Sequence, residues 1–425
     1  MSYEVADVHA REILDSRARP TLEVTLRLAS GPEATAGVPS GASTGTREAV
    51  ELRDGDPKRF KGAGVTKAVA NVNGEINQLL SGRSWKGLDE LDQAVIELDG
   101  TENKSRLGAN ATVGVSMAAA RAMASVDGKP LYRWLAQDES LLRLPVPNFN
   151  VVNGGAHAQN PLEFQEFMLS PLGAPNFAEA LRAGAEVYLA LRALLHSKGH
   201  STGLGDEGGF APNVSTPEEV LDLLLEAISA AGYTPGRDGI AIALDPASSE
   251  MREPDGEYRY SKGTRLTPDE MILKYAALTD AYPIWSIEDG LGEDDWDGWE
   301  KLTAQLGDHV QLVGDDIFVT NPSIIREAIG KKVGNSALIK LNQIGTVTET
   351  LQAIAVCRDA GYTQFVSHRS GETTDTFIAD LAVASGCGQI KTGAPARGER
   401  VAKYNRLAAI EAEVGTLPYG LAEHR

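Results

Sequence analysis

Six ionisable residues each close a short apolar run in the second half of this chain: Asp245, Glu288, Asp315, Lys340, His368 and Lys391. The three acids come from consecutive runs. Carboxylates held side by side repel one another and raise each other's pKa. A hard divalent cation removes that problem, and an all-oxygen ligand set favours Mg²⁺, Mn²⁺ or Ca²⁺ over zinc. One such acid alone would read as the partner of a neighbouring Lys or Arg; three in register point to a metal. Lys340 and Lys391 are open to three readings: a salt-bridge partner, a phosphate ligand or a base of lowered pKa. The apolar run SALIKLN around Lys340 favours burial and a lowered pKa, which suits proton abstraction next to a carboxylate. His368-Arg369-Ser370 offers three consecutive donors, and arginine suits bidentate contact with phosphate.

Other polar groups sit in glycine-rich loops. GLGDEGGFAP places Asp206 and Glu207 where the backbone can turn tightly. Gly203, Gly205 and Gly208 satisfy the dinucleotide fingerprint, but no strand of the required kind precedes them and two acids would face a pyrophosphate. Gly41-Ala42-Ser43-Thr44-Gly45 matches a hydrolase nucleophile elbow, yet lacks the strand before it and the helix after it. A loop of small hydroxyl residues closing over a ligand is the better reading. His157, in Gly154-Gly155-Ala156-His157, and Gln165-Glu166 lie near the ends of two earlier strands.

These residues need elements that bring them together. After a linker-like segment, Gln137 to Pro147, short apolar runs alternate with helical stretches, as parallel βα units do. Thr216-Pro217-Glu218-Glu219 and Thr267-Pro268-Asp269-Glu270 carry helix-start signals. From Glu288 onward the closing residues recur roughly every 25 residues, one unit each; the interval from Asp245 to Glu288 is longer. Six units plus strands near Pro147–Val152 and Phe164–Leu169 make about eight, the number that closes a barrel. Chemistry in such barrels sits at the C-terminal strand ends, so the six groups should converge. The first third reads differently. Tyr3 to Arg11 and Thr21 to Leu28 alternate like half-buried antiparallel strands, and helical patterns follow to about Leu135. We therefore expect an α/β chain with a smaller α+β domain over residues 1–136 and a barrel over 137–425.

The composition, 42% hydrophobic and 23% charged, is that of a globular chain with a sizeable core. With 40 Lys+Arg against 59 Asp+Glu, the net charge of −19 argues against nucleic acid or an anionic membrane as partner. An anionic substrate would need local charge reversal, which bound cations supply. No apolar stretch approaches the ~20 residues of a membrane span. Two cysteines, Cys357 and Cys387, make no disulfide framework, and the first residues show no basic segment followed by an apolar run. A cytoplasmic setting is expected.

Seven motifs in order resemble those of enolase: PSGASTG, NGGAHA with QEF, GDEGGFAPN, SIEDG, VGDD, SHRSGET and IKTGAPARGER. The similarity runs from AREILDSR, beginning at Ala10, to Glu411. The K-x-K pair common in distant superfamily members is absent around Lys340. The resemblance implies a hydro-lyase acting in glycolysis and gluconeogenesis, which reversibly dehydrates 2-phosphoglycerate to phosphoenolpyruvate through an ene-diolate. It implies two Mg²⁺ per site, the first on Asp245, Glu288 and Asp315, the second on Ser43 of a mobile loop. Lys340 is then the base at carbon 2. Glu207, with Glu166 beside it, assists departure of the carbon-3 hydroxyl. His157 matches a closing-loop histidine, Arg369 and Ser370 match phosphate ligands with His368 beside them, and Lys391 matches a contact to the substrate's carboxylate end. The resemblance further implies a barrel that begins with an antiparallel strand pair, a homodimer or octamer, and for some members a cell-surface or secreted pool.

Several positions depart from the family pattern. Ala18-Arg19 stand where Gly-Asn is usual, and Ala63 replaces a common Lys. Gln159 and Pro161 alter the loop after His157, and Pro246 follows Asp245. No matched catalytic position is changed. The departures bear on loop closure and oligomer contacts more than on chemistry.

Overall fold

The computed structural model describes residues 2–42 and 44–422. It opens with a four-stranded antiparallel sheet in the order β3-β2-β1-β4, formed by β1 (Tyr3–Leu14), β2 (Pro20–Leu28), β3 (Glu33–Gly37) and β4 (Ser84–Trp85). Alternation in β1 sends Tyr3, Val5, Val8 and Ala10 inward. The helix Ala109–Val126 lies against the buried face of the sheet. Gly114 permits the close approach: a Cβ there would fall 2.6 Å from Val24.

The rest of the described chain closes a barrel of eight strands. These are β5 (Val146–Asn153), β6 (Glu166–Ser170), β7 (Ala241–Asp245), β10 (Ile284–Glu288), β11 (Gln311–Gly314), β12 (Ser336–Ile339), β13 (Thr363–Ser367) and β14 (Gln389–Lys391). A separate hairpin, β8 (Tyr258–Ser261) with β9 (Thr264–Leu266), fills the long interval between Asp245 and Glu288. Strand β6 runs antiparallel to both β5 and β7, and the other neighbouring pairs are parallel. The reversal puts the first residue of β6, Glu166, beside the last residue of β7, Asp245.

Thr216 and Thr267 cap their helices as the sequence predicts, each in a reciprocal capping box with Glu219 and Glu270. The segment expected as linker is shorter than its composition suggests. A 3-10 turn forms at Glu139–Leu141, and Val146 and Pro147 already pair with β14. Strand β6 likewise starts at Glu166, two residues later than its apolar run. Both cysteines are buried and free. No helix among the described residues is long and apolar enough to cross a membrane.

The barrel interior is layered. Val313, Leu338 and Phe365 form a dry cluster in the middle. Met168, Ala241, Ala243 and Trp285 form a second. Amide side chains fill the N-terminal end, and charged groups fill the C-terminal end.

Candidate active site

All six strand-closing residues reach the C-terminal mouth, because each is the last residue of its strand or the one just after it. One pocket is lined by His157, Glu166, Glu207, Asp245, Asp315, Lys340, His368, Arg369, Ser370 and Lys391, all buried or nearly so. Glu288 joins them through Lys391. Ser43, the expected second metal ligand, lies outside the described residues.

The Lys391 ammonium is the hub. Its Nζ lies 2.8 Å from Asp245 Oδ2, 2.8 Å from Glu288 Oε2 and 3.1 Å from Glu166 Oε2. Burial alone would lower its pKa, but the three carboxylates outweigh burial and hold it well above the usual lysine range. Glu288 and Glu166 are both raised well above the ordinary carboxylate value, by burial first and then by neighbouring acids, Asp245 for one and Glu207 for the other.

Lys340 makes one dominant contact, 2.5 Å from its Nζ to Asp315 Oδ2. Here the structure corrects the expectation of a lowered pKa. Burial does push the ammonium toward neutrality, yet the Asp315 carboxylate prevails and the pKa is raised. The apolar run buries the side chain, as foreseen, but its electrostatic partner comes from another strand. Asp315 is itself fixed by Gln343, whose Nε2 donates to Oδ1 at 2.8 Å.

Glu166 and Glu207 form a pair pushed apart. Burial would raise Glu207, but His368, His157 and Arg400 hold it well below the carboxylate range. Asn150 donates to its Oε2 at 2.9 Å. His368 Nε2 is 3.1 Å from the same oxygen. Arg400, a donor only, places Nη1 2.6 Å from His368 Nδ1, so Nδ1 must accept and the ring proton lies on Nε2, facing Glu207. Burial pushes His368 down to about 3, so the ring is neutral. Within the pair the surroundings favour a proton on Glu166 over one on Glu207. His157 connects them: Nδ1 is 3.6 Å from Glu166 Oε1 and 3.8 Å from Glu207 Oε1, and Nε2 is 3.0 Å from Ser370 Oγ.

Arg369 is gripped by the loop from the first third of the chain. Glu48 accepts from its two Nη atoms at 2.9 and 3.0 Å, and Asn342 Oδ1 accepts at 2.9 Å. The same loop is pinned by Thr46, whose N–H donates to Glu293 Oε2 at 3.0 Å, and by paired backbone bonds between Ser40 and Gly371. Arg17 Nη2 donates to the carbonyls of Ser40 and Gly41 at 3.1 and 3.0 Å.

Four contributors escaped the sequence reading. Arg400 ends the motif IKTGAPARGER, and only its reach to His368 shows what it does. Glu48 is remote from Arg369 in sequence. Asp289, at a positive φ of 41°, accepts the N–H groups of Asp315 and Asp316 at 2.8 and 3.0 Å and so aims that turn. Asp316 adds a further acid; burial, then Asp315, raises it well above the usual range. The two adjacent aspartates of VGDD were the only available signal for it.

The donor set fits a hard cation. Glu166, Glu207, Asp245, Glu288, Asp289, Asp315 and Asp316 outnumber Lys340, Lys391, Arg369 and Arg400, and nearly all the ligand atoms offered are oxygens. Ligand atoms lie within 4.8 Å of one another in two groups, His157 with Glu166 and Glu207, and Asp289 with Asp315 and Asp316. Asp245 and Glu288 share Lys391 instead, so a cation on them would compete with that ammonium for the same oxygens.

An acid-rich barrel mouth with two buried lysines and a split glutamate pair can move protons at carbon and take an anion. Comparison with known families agrees with that chemistry. The family described as "Enolase, C-terminal TIM barrel domain" matches residues 141–420. The family described as "Enolase, N-terminal domain" matches residues 5–135. Matched through both halves, the chain belongs to the enolase family and is a lyase-type enzyme of the enolase superfamily.

Proposed function

We propose that the chain catalyses the Mg²⁺-dependent, reversible dehydration of 2-phospho-D-glycerate to phosphoenolpyruvate, a step of glycolysis and gluconeogenesis. The observation that carries this reading is the pair Glu166 and Glu207, bridged by His157 and displaced in opposite directions by their surroundings, in one buried pocket with Lys340 and Arg369. Opposed displacement of two neighbouring acids marks an acid/base site. Members of the family bind metal, and Asp245, Glu288 and Asp315 would hold the first Mg²⁺, with Ser43 serving the second. Bound there, the metal supplies positive charge against the substrate's carboxylate.

Every other part of the reaction falls to the chain's own groups. Arg369 and Ser370 receive the phosphate, with His368 beside them. Lys391 faces the carboxylate end. Lys340 Nζ takes the carbon-2 proton, which requires that Asp315 no longer hold that ammonium protonated. The electron pair of the broken C–H bond first passes into the carboxylate as an ene-diolate, then returns to form the C2=C3 double bond as the carbon-3 hydroxyl departs. The Glu166–Glu207 pair supplies the proton that makes it water, and His157 closes the pocket. The division into residues 1–136 and 137–425 belongs to the same reading, supported by family matches that break between 135 and 141. So do a cytoplasmic location and a homodimeric or octameric assembly.

The test is formation of phosphoenolpyruvate, followed by its ultraviolet absorbance, from 2-phosphoglycerate with Mg²⁺. EDTA should abolish it; full activity in EDTA would overturn the proposal. Lys340→Ala should abolish exchange of the carbon-2 hydrogen with solvent and lower turnover by about 10²–10⁴-fold, the range for a lost general base. Persisting exchange would assign the base to another residue.

A further inference from the structure

The opposite end of the barrel holds a second cavity, of about 580 Å³, within the range of small-molecule sites. It lies among the segments that precede the strands, and Leu421 and Ala422 complete its wall. Its apolar lining includes Trp285, Leu141, Val310 and Leu421. It is sealed from the active site. Gln311 Nε2 donates to Ser286 Oγ at 2.9 Å, Gln389 Nε2 donates to Gln311 Oε1 at 2.9 Å, and the Val313–Leu338–Phe365 layer lies beyond.

Two observations define what would bind. The first is charge. The lining contains two arginines, Arg237 and Arg358, and one acid, Asp308, on a chain whose net charge is −19. Each guanidinium is anchored by one Nη to a backbone carbonyl, of His309 and of Ser385 respectively. Most of the five N–H donors of each therefore have no protein acceptor among the described residues. The second is an orphan donor. Trp285 is 3% exposed, and its indole N–H meets no acceptor among the described residues. A buried donor left unpaired is destabilising, because it has given up its bonds to water. Indole nitrogen can only donate, so what relieves it must accept.

We infer that this end of the barrel is a binding site for a small amphipathic carboxylate, its apolar body against Leu141, Val310 and Leu421 and its carboxylate accepting from the Trp285 indole N–H and from Arg358. The site is independent of the chemistry proposed for the other mouth, so failure of either leaves the other standing.

The test titrates the full chain calorimetrically with 2-naphthoate and, as a neutral counterpart, 2-naphthalenemethanol. The acid should bind with a dissociation constant on the order of 1 mM or tighter, and the alcohol about tenfold more weakly. Arg358→Gln and Trp285→Phe should each weaken the acid about tenfold, the loss expected for one hydrogen bond to a charged group. Turnover should be unchanged in both, which also shows that they fold. Equal affinity for acid and alcohol, or unchanged affinity in both variants, would overturn the inference. So would binding seen only in a chain ending at Ala422, because the occupant would then be the chain's own last residues.

Discussion

The two ends of the barrel solve the same problem with different groups. Both must fill the space inside a ring of strands with polar side chains. At the N-terminal end the side chains of Gln311, Gln389, Ser286 and Thr363 are joined by neutral hydrogen bonds, and Gln389 Nε2 also donates to the Gln364 carbonyl. At the C-terminal mouth seven carboxylates face four cations, too few to pair every acid, and burial and mutual repulsion raise Glu166, Glu288, Asp289 and Asp316 well above the usual carboxylate range. A neutral network that closes on itself is structural. A charged one that cannot close is poised for something from outside, and that difference separates scaffold from active site.

The sharpest way to break this contrast is Lys391→Met. It leaves Asp245, Glu288 and Glu166 without their shared cation, and losing one partner of a buried pair costs about 3–5 kcal/mol. Thermal denaturation in EDTA should show a large loss of stability at neutral pH, and excess Mg²⁺ should restore part of it by binding the folded state. A loss too small to measure would mean that the charge is not concentrated where the distances place it.

A third buried environment tests the role of the lysines. Asp92 pairs with no cation among the described residues; Ser116 Oγ, Thr348 Oγ1 and Thr348 N donate to Oδ2 at 2.9, 2.6 and 3.1 Å. Burial raises it from 3.8 to about 6 despite those bonds. A folded-state pKa above the unfolded one means that the folded protein holds the proton more tightly. The stabilising contribution is therefore complete below about pH 4 and lost as the pH rises through about 6, up to about 3 kcal/mol in all. Asp92→Asn should flatten the melting temperature between those limits. An unchanged pH profile would remove Asp92 as the cause.

At the neutral end the matching change is Gln311→Leu. It strands Gln389 Oε1, Thr363 Oγ1 and Ser286 Oγ, at a cost of about 1–3 kcal/mol. Turnover should be unaffected, since the dry layer separates this end from the site. A fall in turnover beyond the loss of folded protein would show that the two ends are coupled.

The strand-end chemistry was legible because side-chain type and strand position are both local in sequence. Asp245, Glu288 and Lys391 terminate their runs in the chain as they terminate strands in space. Pairing across strands was not legible. That Lys340 would face Asp315, or that Arg400 would set the proton on His368, depends on neighbours remote in sequence. The reversed β6 was foreseen only through the family resemblance, and without it Glu166 would point to the wrong end. The cavity left no sequence signal, since its walls come from seven or more separated segments.

The smallest effect concerns a departure that the sequence shows and only the backbone explains. Ala18 stands where the family usually has glycine, and its φ is 58°. A residue with a Cβ pays roughly 1 kcal/mol or more there, while glycine adopts this region freely. The turn is held without glycine because Asp15 Oδ1 accepts from the N–H groups of Arg17 and Arg19 at 2.8 and 2.9 Å. Its purpose is to present Arg17 to the carbonyls of Ser40 and Gly41, the base of the loop over the charged mouth. Ala18→Gly should therefore raise stability by up to about 1 kcal/mol, less the entropy that glycine adds to the unfolded chain. If the turn sets how firmly the loop is held, the Michaelis constant should shift as well. A stability gain with unchanged kinetics would confine Ala18 to the fold, and a loss of stability would mean that the Asp15 bonds already remove the strain.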